Sequence, residues 1–414
     1  MESAPKAYRG GTHRTRSPQQ TLATYLPLAS RCGITRLANI TGLDFIGIPV
    51  YAAIRPLSRS LSVAQGKGAT AEAAKASALM EALEQWHAEH PLLPLRHATA
   101  ADLARHERVL DTQAIPRRGG RPDPGLQQSF VPGWDLLAEA PIWVPFDLVH
   151  LNFVVPPPVP RIYVPNSNGL ASGNCLLEAA THGLCELIER DATTLWFVDP
   201  RPDSDLATQL DLAHCDAHNR ALIERIHAAD LWVAAFDMTS DLGIPCYGAV
   251  VFDKPGSLRA MGYFWGFGCH LDPGVALSRA VTEAVQCRLT EIVGAREDIE
   301  PEAFLRNRDD AELATMQARI HAAHPPQRMS DHPARDTASF EGDLAVLCEA
   351  LRAAGIQQAA VVDLSQPDIG LPVIKVIVPE LEGLFLSPDQ PLRPRGQRLM
   401  QTWLAESSGT MERR

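Results

Sequence analysis

The sequence predicts a mixed α/β fold built as one compact unit, and three observations predict it. Segments rich in β-branched and aromatic residues recur along the chain. Ala/Leu-rich runs of helical character separate them, and three of those runs carry the same short pattern. The expected strands, in order, are "IPVYAAIR" (48–55), "PIWVPFDLVHL" (141–151), "LWVAAFDM" (231–238), "IPCYGAVVFD" (244–253), "AAVVDL" (359–364) and "PVIKVIVP" (372–379). Regions 106–128 and 323–342, rich in Arg, Pro, His and Asp, read as surface loops. The closing "ESSGTMERR" is polar and reads as a frayed tail.

At 414 residues and 45% hydrophobic content, the chain is long enough to bury a large core. Lys and Arg number 38 against 49 Asp and Glu, a net charge of −11, which excludes unspecific attraction to nucleic acid or anionic lipid. A phosphate-binding site would have to be local and supported by a metal. The opening "MESAPKAYRGGTHRTRS" has no apolar core of a secretion signal and no 18-residue apolar run exists, so a cytoplasmic protein is expected. Eight cysteines lie scattered without a C-x-x-C, which suggests neither a zinc site nor a disulfide framework.

The repeated pattern sits on three expected helices. Aligned without gaps, they place Glu81, Glu186 and Glu283 in register, at spacings of 105 and 97 residues, with Glu84, Glu189 and Gln286 three positions on. Three residues before each glutamate stands a small residue, Ala78, Gly183 or Ala280, as fits a helix face pressed on a neighbour. Each helix has a glycine-bearing lead-in, "GKGAT" (66–70), "ASGN" (171–174) or "LDPG" (271–274), expected to leave the first backbone N–H groups free for an anion. The pattern reads as one structural unit used three times.

Residues i and i+3 share a helix face, so Glu81/Glu84 and Glu186/Glu189 each present two carboxylates side by side. Like charges at this spacing destabilise a helix by roughly 0.2–0.5 kcal/mol, and burying them unpaired costs several times more. A solvated face, with Glu186 and Arg190 as an ordinary i,i+4 pair, would explain one helix. It gives no reason for three to agree. A carboxylate cage for Mg²⁺ does, because that hard ion takes oxygen ligands and shares them with substrate phosphates. Arg190, Arg288 and Arg296 are then expected phosphate partners of a nucleoside triphosphate, against the alternative of surface ion pairs. No G-x-x-x-x-G-K-[ST], no strand-to-helix G-x-G-x-x-G and no H-R-D with D-F-G is present, so the site is none of the common phosphate loops.

The stretches "GKGATAEAAKASALMEALEQW" (66–86), "SNGLASGNCLLEAATHGLCELIERDA" (167–192) and "TEAVQCRLTEIVGARED" (282–298) resemble a YcaO-domain protein. The most specific motif, N-x3-E-x7-E-x2-E-R, is met by Asn174, Glu178, Glu186, Glu189 and Arg190. The resemblance implies a YcaO-type fold, with mixed sheets and repeated strand–helix units forming one compact ATP-binding domain. Residues 1–60 would supply an N-terminal arm and first strands, 61–400 the catalytic domain and 401–414 a tail. It further implies ATP- and Mg²⁺-dependent activation of a peptide backbone amide by O-phosphorylation. By motif position, Glu81, Glu84, Glu186 and Glu189 would hold Mg²⁺. Ser77, Asn174, Glu178, Arg190 and Gln286 would contact nucleotide or its metals. Arg14 and Thr21 match a basic-x6-hydroxyl spacing that touches ATP in the family, Arg296 is an expected phosphate clamp, and Glu186, Glu189, Arg190 and Arg288 would form the catalytic set. No protein nucleophile is required, in keeping with the lack of a Ser/His/Asp or Cys/His constellation.

In the family the attacking group is a Cys, Ser or Thr side chain giving an azoline, sulfide giving a thioamide, or an amine giving an amidine. Azoline-forming members often end in P-x-P-x-P, which this chain lacks, "PLRPRG" (391–396) being neither terminal nor of that pattern. "YRGGTHRTRSPQQTL" (8–22) and "GITRLANITGLDFIGIPVYAAIRP" (33–56) resemble the subgroup that works with a TfuA-type protein in thioamidation. The expectation is therefore thioamide formation on a peptide or protein substrate, with a TfuA-like partner delivering sulfur and a homodimer compatible with the family. A cyclodehydratase is the alternative, and a non-catalytic scaffold binding ATP or a leader peptide is the alternative of another class. His182 reads as either a proton shuttle or a packed histidine. Cys185 and Cys287 are expected to point off the metal face.

Overall fold

The protein is described from a computed structural model, which covers residues 4–117, 125–154, 161–201, 204–254, 261–299, 301–302, 310–322, 329–383 and 391–411. Twelve strands are described: β1 (Arg36–Asn39), β2 (Val50–Ile54), β3 (Val63–Lys67), β4 (Arg96–Ala98), β5 (Gln128–Asp135), β6 (Ala140–Pro145), β7 (Leu170–Ser172), β8 (Leu231–Asp237), β9 (Cys246–Asp253), β10 (Tyr263–Cys269), β11 (Ala360–Asp363) and β12 (Val373–Ile377). They form three sheets, β1-β2-β3, β10-β9-β8 and β4-β5-β11-β12-β7 with β6 on β5, and every strand-to-strand ladder is antiparallel. The described helices are α1 (Pro18–Tyr25), α2 (Ala71–Glu89), α3 (Ala100–Ala104), α4 (Leu176–Phe197), α5 (Ser204–Ala207), α6 (Ala217–Ala228), α7 (Pro273–Val293), α8 (Asp310–Ala322), α9 (Phe340–Ala353) and α10 (Pro394–Met411).

Each of the three helices aligned in the sequence follows an edge strand of a different sheet: β3 leads to α2, β7 to α4 and β10 to α7. The small residues before the glutamates mark where helix meets strand. A methyl group on Gly66 of β3 would lie 1.9 Å from the Ala78 backbone N, and one on Gly266 of β10 would lie 2.3 Å from the Ala280 carbonyl. On α4 the gap lies on the helix instead, where a methyl on Gly183 would come within 2.9 Å of Val376. At β3 and β10 the strand backbone therefore meets the helix backbone directly, while on α4 the helix backbone meets the Val376 side chain.

Each of the three helix starts carries a side-chain cap. Thr70 accepts from Ala73 N–H, the Cys175 thiol from Glu178 N–H and Asp272 from Gly274 N–H, so a side chain of the lead-in takes one early donor in each helix. Such a cap satisfies one of the four early N–H groups that a helix start leaves without an intrahelical partner. At the other end of α7, Gly294 closes the helix in the left-handed region at φ 59°.

Apolar faces of the three helices supply the core. Leu184, Ile188 and Ala192 of α4 pack with Val250, Ile374 and Val376. Leu79, Ala82 and Leu83 of α2 meet Val144 and Val373, and Leu277, Val281 and Ala284 of α7 meet Ala249 and Val251. Two boundaries are corrected. The strand expected over 141–151 stops at Pro145, where the chain tightens into a 3₁₀ turn over Phe146–Leu148. The tail expected to fray continues as α10 to Met411, the last three residues lying outside the described ones. Of the expected loops, 118–124 and 323–328 also lie outside, while Phe340–Gly342 already belong to α9. Among the described residues no helix is long and apolar enough to cross a membrane.

Candidate functional site

The polar faces of α2, α4 and α7 line one cleft of about 1410 Å³, larger than an ordinary small-ligand pocket. Arg14, Thr21, Ser77, Glu81, Glu84, Asn174, Glu178, Glu186, Glu189, Arg190, Gln286 and Arg296 all line it. Arg288 does not.

At one end the N-terminal arm is drawn in. Lys6 pairs with Asp336 at 3.1 Å and Asp343 at 2.6 Å, anchoring the arm beside α9. Thr15 then donates both its N–H and its hydroxyl to Glu178 at 2.8 Å, Asn174 donates to the same carboxylate at 3.0 Å, and Arg14 stands 3.6 Å from it. The Thr21 hydroxyl donates to Asn174 Oδ1 at 2.9 Å. Glu178, 2% exposed, is therefore the post to which the arm is tied.

In the middle stand the paired acids. Glu84 accepts from Ser172 N–H at 2.7 Å and Glu186 from Gly169 N–H at 3.2 Å, so the open edge of β7 and its lead-in seat a carboxylate from each of two helices. Glu189 accepts from Cys269 N–H at 3.1 Å, and Arg190 stands 3.4 Å from Glu189 and 3.7 Å from Glu186. Burial raises Glu81 to about 7, Arg296 and Lys67 pulling it down and Glu186 and Glu283 pushing it up. Burial, then the charges of Glu186 and Glu81, hold Glu84 well above the carboxylate range, and burial raises Glu189 against the pull of Arg190. These acids lack sufficient positive charge around them, the condition a bound cation relieves.

The donor chemistry suits Mg²⁺. The available donors are carboxylate oxygens, which suit a hard ion. Among the described residues no group of three His, Cys, Asp or Glu side chains is placed to hold a metal by itself, which leaves room for the substrate phosphates with which the acids are expected to share the ion. Mg²⁺ commonly uses one or two carboxylates and completes its shell with water and substrate phosphate, and the open pairs Glu81/Glu84 and Glu186/Glu189 fit that mode.

The third helix uses the shared register differently. Glu283 is bonded to Lys67 of β3, which with Arg190 outweighs the effect of burial and keeps its carboxyl below the usual range. Gln286 donates to the Gln65 carbonyl at 2.9 Å. Arg296 makes a bidentate pair with Asp298 at 2.9 and 2.5 Å at the cleft margin. Arg288 is corrected outright. It lies about 140° around α7 from Glu283, is 1% exposed, and is spent on Asp44 at 2.9 Å and Asp253 at 3.1 Å. It is a core cation.

Cys185 is buried against Cys269, away from the cleft, whereas Cys287 lines the cleft, contrary to expectation. Burial and the charge of Glu283 push the Cys287 thiol up to about 12, which leaves it unreactive. His182 lines the cleft as well, with Arg279 3.5 Å from its Nδ1. Burial and the nearby Arg279 and Arg14 keep it neutral.

Sequence reasoning passed over Thr15, Lys67, Arg279 and Lys375. Arg279 lines the cleft, makes no ion pair within 4.0 Å among the described residues, and has a buried Nε without a hydrogen-bond partner there. Lys375, 2% exposed, donates to the Asn166 carbonyl at 2.7 Å. Burial lowers its ammonium to about 8, against the opposing pull of Glu186 and Glu84. Only a lone Lys in the apolar run "PVIKVIVP" could have signalled it.

The family model described as YcaO cyclodehydratase, ATP- and Mg²⁺-binding, matches residues 65–382. A protein of Methanothermobacter thermautotrophicus is 34% identical over 386 residues, covering 90% of this chain and 96% of its own. A protein described as lying in the tfuA 3′ region of Rhizobium leguminosarum bv. trifolii is 37% identical over 384 residues, 89% of this chain and 88% of its own. Among solved structures, a heterocyclase in complex with substrate and cofactor matches 92% of this chain at 27% identity with a TM-score of 0.76, this chain spanning 54% of its length. YcaO from Methanopyrus kandleri bound with AMPPCP and Mg²⁺ has a TM-score of 0.74 over 94% of this chain and 99% of its own, and at 21% identity that likeness concerns the fold. With a family model spanning most of the chain, and relatives above 30% identity along nearly all of it, the protein belongs to the YcaO family.

Proposed function

We propose that this protein activates a backbone amide of a peptide by transferring the γ-phosphoryl group of ATP to the amide oxygen. Sulfide then attacks the carbon, loses its proton, and phosphate departs with the former amide oxygen to leave a thioamide. The observation carrying the amide activation is that paired acids of two helices share one cleft with the Arg14–Thr21–Asn174–Glu178 cluster. In this reading the cluster holds the nucleotide, and Glu81, Glu84, Glu186 and Glu189 hold Mg²⁺. Bound Mg²⁺ would neutralise charge on the phosphates during transfer. Arg190 and Arg279 face the same phosphates with fixed positive charge, and the surrounding burial strengthens their effect. Preference for sulfide rests on the relative in the tfuA 3′ region, and a TfuA-like protein is the proposed sulfur-delivery partner.

The second reading, azoline formation by cyclodehydration, is favoured by the family description and the likeness to a heterocyclase. The two differ in product mass. Incubating a candidate peptide with ATP, Mg²⁺, sulfide and a TfuA-like protein should add ~16 Da through exchange of oxygen for sulfur, whereas cyclodehydration removes ~18 Da, both presuming an activated amide. A water-loss product would replace the thioamide reading by the second one. Phosphate release should depend on peptide and collapse in Glu186→Gln. Release indifferent to both would point to a scaffold or an unrelated ATPase.

A further inference from the structure

The cleft is longer than its nucleotide half. Helix α4 runs its length: Glu178 ties the arm near the N-terminal end, Glu186, Glu189 and Arg190 stand in the middle, and the Thr194 hydroxyl donates to the Gly383 carbonyl at 2.8 Å beyond them. From residue 178 to residue 194 the helix rises about 24 Å. If the nucleotide lies at the Glu178 end with its phosphates on the acids, the walls beyond the acids face the other reactant. Gly383 and the neighbouring Asn168 line that part of the cleft, and Lys375 turns toward it from beside the acids through its bond to the Asn166 carbonyl.

Lys375 is the anomaly among them. It sits in the middle of β12, a strand buried along its whole length, yet its side chain reaches the cleft. Its strand partner is Leu170, so it stands at the part of β7 whose N–H groups seat Glu84 and Glu186. An ammonium has three donors, and the only hydrogen bond Lys375 makes among the described residues is to the Asn166 carbonyl; it has no ion pair within 4.0 Å there. Val373 and Ile377 on the same face of the strand are packed in an apolar core, and the opposite charges that act on the ammonium, Glu186 and Glu84, are ones assigned above to Mg²⁺. With those two acids committed to a metal, a buried ammonium is costly unless another anion arrives to meet it.

Phosphoryl transfer places donor and acceptor oxygens in line on opposite sides of phosphorus. With ADP on the Glu178 side, the acceptor oxygen lies on the Lys375 side. Resting on the function proposed above, we propose that Lys375 is the phosphate ligand of the acceptor half. Its ammonium meets the phosphoryl group once the bond to ADP has broken and the bond to the amide oxygen has formed. It holds the inorganic phosphate released when the carbon–oxygen bond breaks, and passes no proton in either step.

The test needs no peptide. Inorganic phosphate is titrated calorimetrically into the full chain loaded with ADP and Mg²⁺, and AMPPCP with Mg²⁺ into the unloaded chain, for the wild type, Lys375→Met and Lys375→Arg. Lys375→Met should weaken phosphate binding about tenfold or more, as loss of a charged donor does, while AMPPCP weakens less than about threefold and Lys375→Arg retains phosphate. Retained AMPPCP binding also shows that the variant is folded. Phosphate binding unchanged in Lys375→Met, equal losses of phosphate and AMPPCP, or no phosphate binding by the loaded wild type would overturn the proposal. Failure of the wild type to bind AMPPCP with Mg²⁺ would instead overturn the nucleotide reading, and this proposal with it.

Discussion

At the scale of single residues, charge in the interior separates two jobs. Arg190 faces acids that lack enough cations, whereas Arg288 satisfies two buried aspartates and touches no cleft surface. Arg288→Met should therefore cost about 3–5 kcal/mol of stability, because the charges of Asp44 and Asp253, held otherwise by backbone N–H groups, would be left buried without a counter-ion. Chemical denaturation measures this, and a variant of wild-type stability would contradict the assignment. Glu382 offers a pH-dependent counterpart. Burial raises it from its ordinary 4.5 to about 7, Arg393 opposing. Its folded value thus lies above its unfolded one, so the stability it contributes is complete below about 4.5 and disappears as pH rises through about 7. Glu382→Gln should raise the melting temperature at pH 8.5 relative to wild type and lose that advantage at pH 4.5. Equal differences at both pH values would show that Glu382 does not titrate in this window.

At the scale of elements, close approach of strand and helix sets where the acids point. Because Gly66 and Gly266 let β3 and β10 lie directly on α2 and α7, the opposite faces of those helices are left for the cleft. Gly66→Ala should separate β3 from α2 and destabilise by about 1–3 kcal/mol, the usual cost of overpacking. Gly42→Ala, with no atom within 4 Å of the added methyl, supplies a neutral control in the same urea titration. The N-terminal arm is the second element with a sharp consequence. Deleting residues 1–16 removes Arg14 and Thr15 and strips Glu178 of its best donors. AMPPCP affinity should then fall about tenfold or more, in line with the worth of charged hydrogen bonds. Unchanged affinity would take the arm out of the site.

At the scale of the whole molecule, three sheets lean one long helix each against a shared cleft, and the acids they bring together are held in part toward their protonated forms. A ligand carrying cation and phosphates should therefore stabilise the entire fold. At a concentration one hundred times its Kd, AMPPCP with Mg²⁺ should add about 2.7 kcal/mol to the unfolding free energy, because only the native state binds it. AMPPCP with a chelator should add far less. Equal stabilisation with and without Mg²⁺ would show that the acids are not waiting for a metal.

The sequence by itself determined the local things: three helices in one register, small residues where they meet a strand, and paired carboxylates too close to be left without a cation. Those follow from helical spacing and the cost of like charges, which need no tertiary information. It also located β2, β8, β9, β11 and β12, whose runs are mostly apolar, but not β10, where two glycines interrupt the run, nor β7, where only three residues pair, nor β1, β3, β4 and β5. Only the tertiary structure decided which of these groups share a space. It turned Glu283 and Gln286 back onto β3, sent Arg288 into the core, brought Cys287 to the cleft and drew Arg14 and Thr21 across more than 150 residues to Asn174 and Glu178. It placed Lys375, which carries no motif, beside the acids. Side-chain direction around a helix and contacts between distant segments are set by packing, and one-dimensional spacing does not encode them.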